Sequence, residues 1–238
     1  MADFAEIWSY LARGPLVWLT LTLVAYVVAD ALSQVAGRAP LANPVLIAVI
    51  LLALTLWGTG TPYAVYFEGA QFVHFLLGPA TVALAVPLYQ EGARLKRAIL
   101  PVLAGLAVGS VVAVVSALWI ARALGVAPET LAALAPKSTT APVAIGIAQS
   151  LGGSPTLAAV LVLLTGIIGA IVATPLLNAL GVRDWRARGL ATGVAAHGIG
   201  TARALQVHPQ AGAFAGIGMG LNAILTALLA PAVLRVFL

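Results

Sequence analysis

The sequence predicts an all-α integral membrane protein of the secondary-transporter type, with six or seven transmembrane helices and two further broken or re-entrant helical elements. Three observations predict it. Apolar residues make up 62% of the chain and charged residues 8%, where a soluble domain carries about 45–50% and about 25%. Apolar stretches of spanning length recur along all 238 residues, and at about 20 residues per crossing they account for the whole chain as one polytopic domain. Two other apolar stretches, 136–151 and 189–205, are short and interrupted by Pro, Gly, Ser and Thr. About 15 residues is short for a hydrocarbon core roughly 30 Å thick, so these read as re-entrant elements.

Taken in order, residues 1–10 carry Asp3 and Glu6 and lack the basic start and small-residue cleavage site of a secretory signal, so the first hydrophobic segment is expected to be retained. The expected spans are 15–35, 43–58, 73–89, 98–123, 155–180 and 212–237. Residues 15–135 read as N-terminal spans and 136–238 as the module that carries the site. The loop 59–72, with Tyr63, Tyr66, Phe67 and Glu68, reads as an interfacial aromatic belt. Loop 90–97 holds Arg94, Lys96 and Arg97, and loop 181–188 holds Arg183, Arg186 and Arg188, so both should face the cytoplasm. A full crossing by 136–151 would put the second loop on the wrong side; a dip and return keeps both inside, together with Arg38.

A faint internal repeat accompanies this pattern. Pro79, Pro136 and Thr192 each open a polar-broken stretch followed by a long apolar span, and Ala123-Leu124-Gly125-Val126 matches Ala179-Leu180-Gly181-Val182. One re-entrant element plus one span makes a single net crossing, so successive units would be inverted, as secondary transporters commonly are. The pairs Gly105/Gly109, Gly189/Gly193 and Gly216/Gly220, each four residues apart, permit close helix packing without identifying a dimer face.

Other functions are excluded by what the chain lacks. It has no cysteine, which removes disulfides and thiolate chemistry. Its net charge of +5 sits at the ends of apolar runs and forms no basic stripe, so nucleic acid is not an expected partner. Walker A, G-x-S-x-G and H-E-x-x-H motifs are missing, so neither an enzyme nor a bound cofactor or metal is expected.

Two clusters carry the candidate chemistry. In Lys137-Ser138-Thr139-Thr140-Ala141-Pro142, Pro142 suits the first turn of a helix over 143–150, whose free N–H groups and positive dipole end would face Lys137 to Thr140 as an anion site. In His197-Gly198-Ile199-Gly200-Thr201-Ala202-Arg203, Gly198 and Gly200 allow unwound backbone, and Thr201 can cap the helix that follows. Arg203 would then lie in a first turn at membrane depth. An arginine at the centre of a spanning helix costs roughly 2.5–3.5 kcal/mol, so Arg203 calls for a partner or a carboxylate substrate. His197 titrates in the physiological range and can carry a coupling proton. His74 reads as a structural residue near a helix end and His208 as a loop residue.

The stretches 136–142, Leu151-Gly152-Gly153 and 197–205 closely resemble the LrgB/CidB family of bacterial membrane proteins, and Phe75 through Tyr89 is similar to it as well. The resemblance runs from about residue 40 to the end. It implies either an antiholin-like modulator of murein hydrolase export acting with a separate LrgA/CidA-like membrane partner, or, by likeness to plastid relatives, a glycolate/glycerate translocator. The residues themselves agree with a small hydroxy- or keto-acid ligand, and together with the resemblance, which narrows the ligand to the glycolate, glycerate, lactate or pyruvate class, they predict a proton-coupled secondary transporter of a small monocarboxylate. In that reading Arg203 and the helix N-termini hold the carboxylate, Thr139, Thr140 and Thr201 bond its hydroxyl or keto oxygen, and His197 carries a proton. A multi-pass homo-oligomer in the bacterial inner membrane is expected. A holin-like pore would need a span with a broad polar face, and 98–123, 155–180 and 212–237 are nearly all Ala, Leu, Val, Ile and Gly.

Overall fold

The computed structural model describes residues 14–76, 79, 82, 89, 96 and 98–237. Among them the chain is helical, with nine helices and no strand: α1 Pro15–Val35, α2 Pro44–Thr59, α3 Tyr63–Phe75, α4 Ile99–Ala123, α5 Pro128–Leu134, α6 Ala141–Ser150, α7 Pro155–Ala179, α8 Trp185–Val207 and α9 Pro209–Phe237. Four of them, α1, α4, α7 and α9, are long and apolar enough to cross a membrane. Four of the expected six or seven spans thus meet this length and hydropathy among the described residues; α2 is apolar but has only 16 residues, and the expected span 73–89 lies mostly outside the described residues.

Proline and polar caps set where these helices start. Asn43 accepts from the N–H groups of Val45 and Leu46 at 2.9 and 3.2 Å, and Ser154 from that of Leu157 at 3.3 Å, each just ahead of a proline whose missing donor is no loss in a first turn. Asp184 caps α8 through the Arg186 N–H at 2.8 Å.

The chain forms two compact units, 1–83 and 84–238. In the first, α1 packs on α2 and α3. Trp18 is fully buried and meets Tyr66 edge-on, with centroids 6.0 Å apart. Gly69 lets α3 lie directly on the backbone of α1 at Pro15 and Leu19. The segment read as the loop 59–72 is thus helical from Tyr63 onward: Tyr66 packs against Trp18 of α1, Tyr63 stacks on Phe67 one turn along with centroids 5.7 Å apart, and Tyr63 and Glu68 stay exposed.

In the second unit α4 and α9 run side by side in the same direction. Val102 packs with Phe214 and Ile217, Ser110 bonds Asn222, and Val114 and Leu118 share a cluster with Ala230 and Leu234. Helices α4 and α7 each have 25 residues and end alike. Gly125 at φ 75° and Gly181 at φ 67° take the left-handed conformation, and the next N–H, Val126 or Val182, returns to the carbonyl of Ala121 or Leu177 at 3.0 Å.

Each of these two helices is followed by a helical hairpin. The first is α5–α6, which folds back so that Gly153 lies on the backbone of Ala132 and Ala133. It docks at the C-terminal ends of α4 and α9 through Leu131, Ala132, Ala135 and Ile147. The second lies within α8. Its 23 residues would set the ends about 34 Å apart in a straight helix. Instead, Trp185 and His208 stack with centroids 4.7 Å apart and planes within 2°. The reversal is at Ala196 (φ −126°, ψ 15°) and His197 (φ 41°, ψ −135°). Limb 185–195 packs near the N-terminal ends of α4 and α9, through Leu190 and Gly189. The two hairpins therefore approach the α4–α9 pair from opposite ends.

Candidate functional site: two hairpin turns joined at Asn222

The turn of the first hairpin is 135–140. The Lys137 N–H bonds the Leu134 carbonyl at 3.0 Å, and both the N–H and the hydroxyl of Thr139 bond the Pro136 carbonyl at 2.9 Å. Helix α6 then starts at Ala141, with Thr140 as N-cap and Pro142 in the first turn, as the sequence predicts. The Thr140 side chain does not bond the α6 amides. Ser138 and Thr139 are buried; Lys137 is partly buried, its Nζ donating to the Ser138 hydroxyl at 3.1 Å.

The second turn is held by His197. Its φ lies in the left-handed region, where a side chain is strained by about 1–3 kcal/mol. The ring is buried and its Nε2 meets the Val162 carbonyl at 2.9 Å. A carbonyl only accepts, so Nε2 carries the proton in this bond. Gly166 makes room for the ring, since a Cβ there would come within 2.6 Å of Cε1.

Here the structure corrects the sequence reading. The break falls at Ala196 and His197, one residue before the glycines. Gly198 and Gly200 are helical, and Gly200 serves close packing instead: a Cβ on it would meet the Ala196 Cβ at 2.6 Å and the Thr192 carbonyl at 3.0 Å. Thr201 is therefore not an N-cap. It sits one turn into the returning limb, with its hydroxyl donating to the His197 carbonyl at 2.8 Å. Arg203 lies further along that limb, toward the end where Trp185 and His208 stack. The structure thus brings Lys137 and the neighbourhood of His197 together and sets Arg203 apart from them.

The residue that joins the turns is Asn222, fully buried near the middle of α9. Its amide nitrogen donates to the Ser138 carbonyl at 3.0 Å and to the Val194 carbonyl at 3.1 Å, while its oxygen accepts from Ser110 at 2.6 Å and Thr226 at 3.2 Å. One side chain therefore satisfies open carbonyls of both hairpins and is itself fully satisfied. Sequence reasoning missed it. The signal was present, because a lone amide within an apolar run of spanning length is a functional candidate by default.

Beside the joined turns lies a cavity of about 450 Å³ between α7 and the first limb of α8, reached by Lys137, Thr165, Thr192 and Ala196. A smaller one, of about 20 Å³, shares Thr192 with it and is lined by Arg188, Arg203, Thr174 and Trp185. Arg188 was read as a loop cation. It is instead a helical residue, 7% exposed, because Asp184 starts α8 before it. His208, read as a loop residue, stacks on Trp185 and accepts from the Gln210 N–H at 3.2 Å. His74 is the penultimate residue of α3, and its side chain lies outside the described residues.

The LrgB-like family matches this chain over residues 22–236. The chain belongs to the LrgB family. It is 34% identical over 219 residues to the holin-like protein CidB of Staphylococcus epidermidis, covering 92% of this chain and 95% of that one. The corresponding protein of Staphylococcus aureus is 32% identical over 222 residues, covering 93% and 96%. The Bacillus subtilis protein YxaC is 36% identical over 221 residues, covering 92% and 95%. No solved structure matches this LrgB-family chain.

Proposed function

We propose that this protein acts, without catalysing a reaction, as a holin-like regulator of murein hydrolase export and cell lysis in the bacterial inner membrane, together with an LrgA/CidA-like partner. The observation that carries this is the likeness to staphylococcal relatives named holin-like, at 32–34% identity over nearly their whole length. Those names favour this reading over transport of a particular acid. The middle of the second unit is filled by the two hairpin turns and Asn222, which suits a regulator better than a subunit with a channel of its own. The test is autolysis and murein hydrolase release in a host lacking its own family members, with the protein expressed alone and with the partner. A rate that changes only with both supports the reading; an unchanged rate in either case removes it.

The hairpin geometry favours a second reading, proton-coupled secondary transport of a small monocarboxylate by a homo-oligomer. In it, α5–α6 and α8 are re-entrant elements of two inverted units, 99–150 and 155–207, entering from opposite faces. Lys137 and the α6 N-terminus, with Thr140 and Pro142, receive the carboxylate in the 450 Å³ cavity. Ser138, Thr139, Gly198, Gly200 and Thr201 shape the two turns, His197 carries the proton, and Arg203 guides the anion in. Uptake of labelled glycolate, glycerate, lactate and pyruvate into proteoliposomes, with and without a pH gradient, tests it. Saturable uptake that Lys137→Gln abolishes supports this reading, and no uptake by folded protein removes it.

A further inference from the structure

We propose that the groove between α7 and the first limb of α8 is a lipid site, in which an anionic phospholipid lays one acyl chain along α7 and sets its phosphate at Arg183 and Arg188. The proposal rests on neither reading of the function, since a regulator and a transporter can each carry such a lipid.

The groove is the cavity of about 450 Å³, and its length fits one leaflet. On α7 its lining recurs every three or four residues from Thr165 to Leu177, one face of the helix, and these twelve steps cover about 18 Å. One leaflet contributes half of a hydrocarbon core roughly 30 Å thick. The α8 side is lined by Ala191 and Ala195, exposed and one turn apart, whose small side chains leave the room. The two helices meet at Gly169, where a Cβ would come within 2.3 Å of the Ala196 Cβ, while Ile168, Val172 and Leu176 are 58%, 41% and 49% exposed. The groove therefore opens outward, toward the bilayer. An apolar hollow of this kind forfeits dispersion contacts unless a chain fills it. Lys137 stands at the deep end with its Nζ on the Ser138 hydroxyl at 3.1 Å, so its aliphatic stem is what the tip of that chain meets.

The shallow end is basic. Residues 181–188, which lead from the end of α7 into α8, hold three arginines and one aspartate, a net charge of +2. Asp184 is engaged by Arg186 at 2.7 Å, so the surplus sits on Arg183 and Arg188. Arg183 is exposed. Arg188 lines the small cavity that shares Ala173, Leu177 and Thr192 with the groove, which makes the seats of head and tail continuous. The Val182 carbonyl at 2.8 Å and the Trp185 ring, 5.0 Å from Cζ, fix the Arg188 guanidinium without cancelling its charge. Basic residues between spanning helices on the cytoplasmic side suit anionic lipid heads, and a tryptophan suits the same depth. The expected cytoplasmic placement of this loop therefore assigns the lipid to the inner leaflet.

The experiment adds phosphatidylglycerol or phosphatidylcholine to the delipidated full chain in detergent and reads bound lipid by native mass spectrometry and stability by the melting temperature. Phosphatidylglycerol should bind more tightly and raise the melting temperature further than phosphatidylcholine. Arg183→Gln should bind it about fivefold more weakly, the effect of about 1 kcal/mol for one basic side chain at an anionic surface. Ala195→Phe, which fills the groove from an exposed position, should abolish binding, and Ala191→Phe decides if Ala195→Phe does not fold. Two controls should bind as the native chain does: Arg235→Gln, at the other end of α9, and Val160→Phe, on exposed α7 surface outside the groove. Equal binding of the two lipids, or native-like binding by folded Ala195→Phe or Arg183→Gln, overturns the site. Inorganic phosphate that protects as well as phosphatidylglycerol would reveal an anion site without a groove, and overturns it equally.

Discussion

The side-chain amide of Asn222 donates to the backbone carbonyl of Ser138 at 3.0 Å, tying the middle of α9 to a hairpin turn 84 residues earlier. The same nitrogen reaches Val194, so both hairpins hang on one side chain. Asn222→Ala should leave two carbonyls and the Ser110 hydroxyl without this partner, at about 1–3 kcal/mol for each buried group left unsatisfied. A clear fall in melting temperature in detergent is expected, and Asn222→Asp should be no better, since a carboxylate offers no donor to the two carbonyls. A native melting curve for Asn222→Ala would show the bridge to be dispensable.

His197 combines a strained backbone with a bond to Val162. His197→Ala should keep the strain and lose the bond, costing about 1–3 kcal/mol. Gly166→Ala should be worse still, because it pushes on the ring that makes the bond. Thermal unfolding of the two variants side by side checks the order.

Since the chain has no cysteine, single cysteines report topology directly. Glu129 and Ser150 are exposed at the two ends of the α5–α6 hairpin. If that hairpin re-enters, Glu129→Cys and Ser150→Cys should label from the same face of the membrane with an impermeant maleimide. Labelling from opposite faces would mean that the segment crosses.

The Asp184 carboxyl is held below its ordinary range, chiefly by the side-chain hydrogen bond from Arg186, so the folded state favours its ionised form. The benefit is present above the unfolded value of about 3.9 and is lost as pH falls through the lower folded value. Asp184→Ala should therefore melt earlier than the native chain near neutral pH, by about 0.5–2 kcal/mol as for other lost N-caps. The gap should close in acid, which melting curves across pH would register.

Much of this was legible from local chemistry. Pro142 marks the start of α6 because a first helical turn needs no donor there, and the paired Ala-Leu-Gly-Val stretches mark two helix ends because only glycine takes the left-handed turn at low cost. What sequence could not resolve was which of glycine's two uses applied. Gly198 and Gly200 read as unwound backbone, yet the strain fell on His197, whose bond to Val162 is a tertiary fact, and Gly200 serves the return of the limb. Arg188 was misplaced because counting basic residues does not show where a loop ends; the Asp184 cap does. Asn222 and Ser110 went unremarked because, 112 residues apart, nothing local links them.

The glycine seam between α8 and α9 has a mechanical meaning. At Gly189 and Gly193 any Cβ would run into the backbone carbonyls of Ala211 and Ala215, and at Gly218 it would come within 2.8 Å of the Leu190 carbonyl. Backbones seated this closely have no side-chain cushion to slide on, so the first limb of α8 and the start of α9 behave as one stiff blade. On the α7 side of the same limb lies an open cavity instead. The α8–α9 blade is thereby one fixed wall of that cavity, so a change in the cavity's volume would have to come from its α7 wall.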